Sequence, residues 1–289
     1  VQGFSESIRL TTNAPVAIIE GDEYLSSPMD STPKFLHYKP QIAVLTGLSW
    51  DHMNVFPSYE DYKDQFIEFV ESMLPNSKLI YFEEDEELKE IVKHARSTVK
   101  LIPYKTPDYQ IKDGKLVLRT IFRNFPLEIF GKHNLSNIEA AHLICKEVGI
   151  DDMSFFQLIS TFKGAGKRLE LVTIDDETRI FKDFAHAPSK VKATLSGLKV
   201  QFKDQKLIGV LELHTFSSLN KEFLPHYKHS GDAADELIIY INPEAVKHKD
   251  LEPISEEEIK DAFDHPNIRI FEDSADLEKN LRKIPLTET

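Results

Sequence analysis

Short apolar runs alternate with amphipathic stretches in the first half of the chain. The runs "PVAIIE" (15–20), "QIAVLT" (41–46) and "KLIYF" (78–82) are almost continuously apolar. Such runs are typical of parallel strands that are buried on both faces of a sheet. Between the last two, apolar residues recur at helical spacing from Ser58 to Met73, which predicts an amphipathic helix. Ser58 with Asp61 at its start resembles a capping box, and Ser255 with Glu258 is a similar signal before a later helix. The pattern therefore predicts strands and helices in alternation, as in an α/β fold.

The same alternation continues to the end of the chain. Segment 107–130 contains Asp113-Gly114 between alternating residues, which predicts a hairpin, and residues 134–148 return to helical spacing. Further strands are expected at "RIFKDF" (179–184), "KLIGVLEL" (206–213), "ELIIYI" (from Glu236) and "NIRIF" (267–271), and further helices at 188–200, 218–228, 255–264 and 273–283. We predict a parallel-sheet domain over 1–166 and a doubly wound, Rossmann-like domain over 167–289.

Composition excludes several classes of protein. The net charge of −13 argues against a nucleic-acid binder, which needs a basic face. No apolar run approaches the length of about 20 residues that spans a bilayer, so we expect no membrane insertion. The lone cysteine, Cys145, excludes an internal disulfide framework, and it is compatible with a reduced, cytoplasmic setting.

The stretch "TFKGAGKRLE" (161–170) superficially looks like a phosphate-binding loop. That motif requires G-x-x-x-x-G-K-[ST], but Thr161 occupies the first glycine position and Arg168 follows the lysine. A flexible basic linker is the simpler interpretation. Because the stretch lies between the two predicted domains, where ligand sites are common, Arg168 remains a candidate binding residue.

Polar residues that could carry chemistry follow the predicted strands. Glu20, Asp22 and Glu23 come after the first strand and Asp51-His52 after the second, so both clusters could hold Mg²⁺ at the carboxyl edge of the sheet. Taken singly, each could equally be a solvated loop or a structural histidine. Likewise, the polar residues of "FGKHNLSNIEAAH" and "KDFAHAPSK" could cap the helices that follow or could contact a nucleotide.

Taken in order, these segments resemble the Mur ligase family, the ATP-dependent amide-forming enzymes of peptidoglycan synthesis. The likeness rests on "EGDEY", "KPQIAVLTGLSWDHMNVF", "GKHNLSNIEAAHL" with "FKGAGKRLE", and "KDFAHAPSKVKATL", within residues 15–190. The nearest branch adds L-alanine, or a recycled L-Ala-γ-D-Glu-meso-diaminopimelate tripeptide, to UDP-N-acetylmuramate. The resemblance implies ATP and Mg²⁺ as cofactors and an acyl-phosphate intermediate.

The resemblance also implies roles for individual residues. Glu20 and His52 match metal-binding positions, and with Arg168 they form the expected catalytic set. The expected nucleotide contacts are His133, Asn134 and Asn137 at adenine, Arg168 from the hinge, Asp183 near the ribose, and His186 in the same turn.

The chain departs from the family pattern at several points. No G-K-[ST] occurs in it, and the family's UDP-sugar domain has no counterpart, so we expect little ligase activity from this chain alone. Phe66 stands where some members carry a carbamylated lysine, which favours the alanine-adding and recycling branch. Thr215 and Ser218 stand where alanine-adding enzymes have arginines, which favours the tripeptide. A folylpolyglutamate or cyanophycin type of ligase and a non-catalytic nucleotide-binding or interaction protein remain alternatives.

Overall fold

The computed structural model describes residues 11–50, 52–112, 114–165, 168–174 and 178–284. Its fold is the mixed α/β arrangement with parallel sheets that the sequence predicts. The strands are β1 (Leu25–Ser27), β2 (Asp30–Pro33), β3 (Ile42–Leu45), β4 (Lys78–Phe82), β5 (Lys100–Tyr104), β6 (Tyr109–Lys112), β7 (Lys115–Arg119), β8 (Asn124–Pro126), β9 (Glu170–Ile174), β10 (Arg179–Lys182), β11 (Ile208–Leu213), β12 (Glu236–Ile241) and β13 (Ile268–Phe271). The helices are α1 (Lys34–Tyr38), α2 (Tyr59–Ser72), α3 (Glu86–Ile91), α4 (Lys132–Glu147), α5 (Asp152–Ile159), α6 (Pro188–Gln201), α7 (Pro243–His248), α8 (Glu256–Phe263) and α9 (Ser274–Leu281).

The first layered unit is a parallel sheet in the order β3-β4-β5 with helices on both faces. Adjacent residues of β4 point to opposite faces: Leu79 packs with the buried side of α2, and Ile80 packs near Ala140 of α4. Both side chains are fully buried. This two-sided burial explains why the strand is a continuous apolar run rather than an alternating one.

The second layered unit is a parallel sheet in the order β11-β12-β13. Its core joins Leu237 and Ile239 of β12 to Val191 of α6 and to Ile259 and Phe263 of α8. The capping boxes predicted for two helices are present, Ser58 with Asp61 at α2 and Ser255 with Glu258 at α8.

Three predicted elements differ from the observed structure, either in their secondary structure or in their pairing partner. Segment 15–20 is not a strand but an exposed stretch without regular structure, in which Ile18 is 92% exposed. An apolar run becomes a strand only where a neighbour supplies a hydrogen-bond ladder, and among the described residues none pairs with it. β10 forms an antiparallel pair with β9 and does not join the parallel sheet.

The third correction concerns the helix predicted at 218–228. The structure has two short 3₁₀ helices there, Ser217–Leu219 and Leu224–Tyr227. Pro225 lacks the N–H that a continuous helix requires, and Asn220 instead turns the chain by accepting a bond from the Glu222 N–H at 2.8 Å.

His142 on α4 ties that helix to α5. Its Nε2 lies 2.9 Å from Asp152 Oδ1, its Nδ1 lies 3.5 Å from Glu139 Oε1, and Lys146 also faces Asp152. The nearby Glu139 carboxylate raises the pKa of His142, burial opposes this, and Asp152 adds to the rise. A raised pKa means that protonated His142 stabilises the folded chain. This contribution is fully present at pH values below about 6.5, the pKa of histidine in the unfolded chain.

We expect the free energy of unfolding to fall as pH rises through the raised pKa of His142. At pH 6, His142→Gln should cost about 1.5–3 kcal/mol, as for hydrogen bonds to charged groups, and should flatten this pH dependence. Urea denaturation from pH 5.5 to 8.5 measures both effects. His94→Gln is the matched control because His94 makes an exposed pair with Glu71 at 3.4 Å. An equal pH dependence in the two variants would contradict the assignment.

Candidate functional site

The candidate site lies where the loop after β3, the start of α4 and the turn after β10 approach one another. The loop after β3 is held to the start of α3 because the Asp85 carboxylate accepts from the Leu48 N–H at 2.8 Å and from the N–H groups of Glu87 and Leu88. The carboxyl end of the parallel strand thus presents a fixed loop rather than a loose one, as open α/β sheets do at their ligand sites.

His52 is the central residue of that loop. Its backbone adopts a φ of +58°, a left-handed conformation that is uncommon for a residue other than glycine. Its Nε2 lies 3.5 Å from Glu23 Oε1, and its ring meets the edge of Tyr24 at 5.1 Å. Burial alone would raise the pKa of Glu23, but the bond from His52 and the charges of His52 and Lys190 hold that pKa below its usual value. Glu23 is therefore an anion at neutral pH.

Glu20 lies in the exposed segment before this pair, and the carboxylate that the structure pairs with His52 is Glu23. Among the residues that the structure describes, no three His, Cys, Asp or Glu side chains are grouped closely enough to hold a metal ion. A carboxylate beside an imidazole nevertheless fits Mg²⁺ in part, since this ion is usually held by one or two carboxylates together with waters and substrate phosphates. The roles of Glu20 and His52 in metal binding stay predictions.

The start of α4 holds His133 against the backbone of Gly131. Gly131 has a φ of +86°, and a Cβ on it would lie 2.6 Å from His133 Cε1. Burial lowers the pKa of His133, and the nearby charge of Asp183 only partly opposes this. The imidazole is therefore neutral at pH 7. The Asn134 amide donates to the Phe130 carbonyl at 2.6 Å, whereas Asn137 is exposed.

Asp183 organises the turn between β10 and α6. Its Oδ1 accepts from the backbone N–H groups of Phe184 at 2.6 Å and Ala185 at 3.1 Å, and its Oδ2 accepts from the Thr194 hydroxyl at 2.7 Å. A carboxylate offers about four lone-pair sites, so it can accept a further bond. The structural role that the sequence left open for Asp183 is thus partly observed: its carboxylate holds the turn, and its charge also acts on His133.

Arg168 and His186 flank the same turn. The Arg168 guanidinium lies over the Phe184 ring at 5.4 Å, and the His186 ring meets the edge of that same ring at 5.2 Å. Tyr227 donates from its hydroxyl to the His186 carbonyl and so anchors the turn to the C-terminal core. Gly164 has a φ of +96°, as a hinge glycine can, but Gly166 lies outside the described residues, as does Asp51.

A cavity of about 130 Å³ lies beside this turn, between β10, α6 and β11. Asp183 and Thr194 are its polar lining residues, and Phe181, Leu195 and Val210 are among the apolar ones. Pockets for small-molecule ligands usually measure about 300–1,000 Å³, so the cavity alone is too small for a nucleotide.

The structure describes the surroundings of the three positions, Phe66, Thr215 and Ser218, that distinguish branches of the family. Phe66 is a core residue, with its ring 5.3 Å from that of Phe35 and 5.0 Å from that of Tyr62, so no charged group stands there. The Ser218 hydroxyl accepts from the Thr215 N–H at 2.9 Å, and Ser218 is 1% exposed. These two residues form a closed turn and offer no forked cation to a carboxylate.

Sequence reasoning missed the contacts that join the two layered units. Near the hinge, the rings of Phe130, Phe181 and Phe202 pack at 5.7 to 5.9 Å from one another, and Gln201 donates to the Gly114 carbonyl. On the other side, the Ser49 and Ser189 hydroxyls lie 2.6 Å apart, and Trp50 packs on the C-terminal unit. The only available signal was that the chain's single tryptophan stands beside the Asp-His pair.

The chain is similar to known proteins in sequence and in fold. Residues 9–145 match the Mur ligase middle domain. The UDP-N-acetylmuramate–L-alanine ligase of Desulfitobacterium hafniense (strain Y51) is 26% identical over 86% of this chain and 57% of its own length. The chain thus spans little more than half the length of the curated relatives it matches.

Solved structures agree at the level of fold. The murein peptide ligase of Psychrobacter arcticus 273-4 aligns over 92% of this chain and 56% of its own, with 20% identity and a TM-score of 0.56. The MurF ligase of Thermotoga maritima, solved in complex with ADP, aligns over 85% and 56%, with 16% identity and a TM-score of 0.63. Within the described part of the chain, no helix has the length and apolar content needed to cross a membrane.

The chain therefore contains a Mur ligase middle domain at residues 9–145, and its similarity to curated ligases extends over 86% of its length.

Proposed function

We propose that this chain is the central and C-terminal part of an ATP-dependent carboxylate–amine ligase that acts in the cytoplasm. Its substrates are UDP-N-acetylmuramate and an amino acid or peptide. The observation that carries the proposal is the approach of His133, from the start of α4, to Asp183, from the turn after β10, close enough for the carboxylate to act on the imidazole pKa. Residues that the resemblance assigns to adenine and to ribose thus stand on two units, within electrostatic reach of each other.

The proposed reaction has two steps. An oxygen of the substrate carboxylate attacks the γ-phosphorus of ATP, ADP leaves, and an acyl phosphate forms. The amino group then attacks the acyl carbon, loses a proton, and inorganic phosphate leaves as the amide forms. Catalysis of this kind depends on positioning and on neutralising phosphate charge more than on a protein nucleophile.

Each side chain expected to contact the nucleotide has a role that its environment supports. His133 is neutral, so it offers one donor and one acceptor to the edge of a base, and Asn134 and Asn137 add amides on the same helix turn. Asp183 accepts from a ribose hydroxyl. Arg168 stands at the hinge with its charge on the face of Phe184, from which it can turn to a phosphate.

We further propose that His52 and Glu23, with Glu20 from the adjoining segment, hold Mg²⁺. The ion would neutralise phosphate charge when bound. The role of the chain's own residues is to keep the carboxylate ionised: the His52 bond and the Lys190 charge do so by holding the pKa of Glu23 low.

The identity of the amine substrate, L-alanine or the tripeptide, separates two branches of the family. The curated relatives matched here are L-alanine ligases. The closed Thr215–Ser218 turn, however, leaves the carboxylate of free L-alanine without the forked cations of that branch, and this favours the larger tripeptide. The two substrates are therefore compared directly in the test of function.

Nucleotide binding tests the proposal on this chain itself. In titration calorimetry, His133→Ala and Asp183→Asn should each weaken ADP binding about tenfold, the effect of losing about 1.4 kcal/mol of interaction. His94→Ala, in an exposed pair with Glu71, is the control and should leave the affinity unchanged. If all three variants bind alike, the nucleotide site lies elsewhere.

Ligase activity is tested on the protein expressed from the complete reading frame. Mass spectrometry of UDP-N-acetylmuramate incubated with ATP, Mg²⁺ and either L-alanine or the tripeptide identifies the product. Because no G-K-[ST] occurs in these 289 residues, a non-catalytic nucleotide-binding protein is the second candidate. A reading frame that starts near Val1, together with no product from either amine, would favour that candidate.

A further inference from the structure

The loop that carries His52 is braced internally by hydrogen bonds to its backbone. The His52 carbonyl accepts from the N–H groups of Val55 at 2.8 Å and Phe56 at 3.0 Å. The Trp50 indole Nε1 donates to the Phe56 carbonyl at 3.1 Å. Phe56 is buried in the central core, so Trp50 and His52 belong to one rigid turn. A displacement of the indole therefore displaces the imidazole.

The same loop is fastened to the C-terminal unit at three places. The Trp50 ring meets the ring edges of Phe223 and His226, both at 5.3 Å. The Met53 N–H donates to the Ser217 hydroxyl at 3.1 Å, and the Ser49 hydroxyl shares a 2.6 Å bond with that of Ser189.

Trp50 is the residue on which these contacts converge. It packs against the hydrophobic core of the central unit and also against that of the C-terminal unit. Phe223, its partner, is buried in the C-terminal core, and Ser217 is 4% exposed. Contacts into two separate cores fix the position of the ring from both sides, whereas a surface contact between mobile units would not.

We propose that Trp50 is a positioning residue that couples docking of the C-terminal unit to the placement of His52 beside Glu23. When the units are docked, the indole is held by both cores and the His52–Glu23 pair forms. When they separate, Trp50 loses its contacts with Phe223 and His226, and the His52 loop keeps only its internal hydrogen bonds.

This coupling of docking to the position of His52 deepens the function proposed above and rests on it. A ligase that forms an acyl phosphate must avoid wasting ATP before the units have closed around both substrates. A loop that is correctly placed only in the docked arrangement supplies that control.

The test follows the Cε1–H resonance of His52 in the NMR spectrum of the 289-residue chain, assigned through His52→Asn. We expect Trp50→Ala to shift this resonance and to weaken its broadening by Mn²⁺ alone. The apparent affinity for Mn²⁺ should fall roughly tenfold, the low end of the range for groups that position a metal ligand. Ser217→Ala, which removes the Met53 partner but leaves the ring contacts, should have a smaller effect in the same direction.

The matched control is Phe202→Ala, at the contact near the hinge. This substitution loosens the same pair of units without touching the His52 loop, because Phe202 packs on Phe130 and Phe181. The proposal is overturned if Phe202→Ala shifts the His52 resonance as far as Trp50→Ala does, or if neither shifts it. Trp50→Phe keeps a ring but removes the indole N–H, so it supplies the test if Trp50→Ala does not fold.

The outcomes also separate this proposal from the proposed function. If Mn²⁺ fails to broaden His52 in the unsubstituted chain, the metal role fails, while the shift of the resonance still reports positioning. If Mn²⁺ broadens His52 equally in the unsubstituted chain and in Trp50→Ala, the metal role stands and the positioning role is wrong.

Discussion

Gly131→Ala should destabilise the chain and abolish the ordered position of His133. The glycine has φ +86° and ψ +141°, a region that side-chain-bearing residues rarely adopt and that costs them about 1–3 kcal/mol. The added methyl would also lie 2.6 Å from the His133 ring and would force it out of its place. Urea denaturation measures the first effect, and ADP titration, with an expected loss of at least about tenfold, measures the second.

A further result distinguishes displacement of His133 from simple strain. Once the ring leaves its buried site, the pKa of His133 should rise towards its usual value, which NMR titration detects. Gly149→Ala is the matched control, since Gly149 has φ +90° but nothing within 4 Å of the added Cβ. It should cost stability while leaving ADP binding and the pKa of His133 unchanged. A loss of ADP binding in the control would contradict the steric explanation.

Phe263→Ala should remove about 3–5 kcal/mol from the free energy of unfolding, as large aromatic truncations in cores do. Its side chain is fully buried in the C-terminal core and stacks on Tyr227 with ring centres 4.9 Å apart. Since Tyr227 also holds the His186 carbonyl, the loss should reach the turn that carries Asp183. Urea denaturation measures the stability, and hydrogen exchange locates the loss.

The reciprocal substitution tests the domain division. Phe69→Ala truncates the central core, where Phe69 meets Phe35 at 5.1 Å. With a boundary at 166/167, Phe263→Ala should raise exchange first in β11–β13, and Phe69→Ala first in β3–β5. Equal loss of protection throughout the chain in both variants would mean that the two cores unfold as one unit.

The predictions from sequence succeeded where a local pattern contains its own cause. The capping box of α2 needs only Ser58 and Asp61 three residues apart, and the structure has it. The strand "KLIYF" coincides with β4 because five consecutive residues suit burial on both faces. β6 and β7, on either side of Asp113-Gly114, pair antiparallel as the alternating pattern indicates.

The predictions failed where an element depends on a neighbour that the pattern does not identify. Segment 15–20 is as apolar as the run that forms β3, yet it pairs with no described strand. β10 was expected in the parallel sheet, but its partner is β9, which precedes it. The choice of partner is a property of the packed molecule, since the hydrogen-bonding groups of all strands are alike.

For the candidate site, the sequence determined which segments carry the chemistry and which family they resemble, because short motifs keep fixed spacings. Tertiary structure alone decided which residues meet. It paired His52 with Glu23, brought Asp183 within electrostatic reach of His133, and enclosed Trp50 between two cores. These contacts join residues far apart along the chain, and their formation depends on packing, which no local pattern encodes.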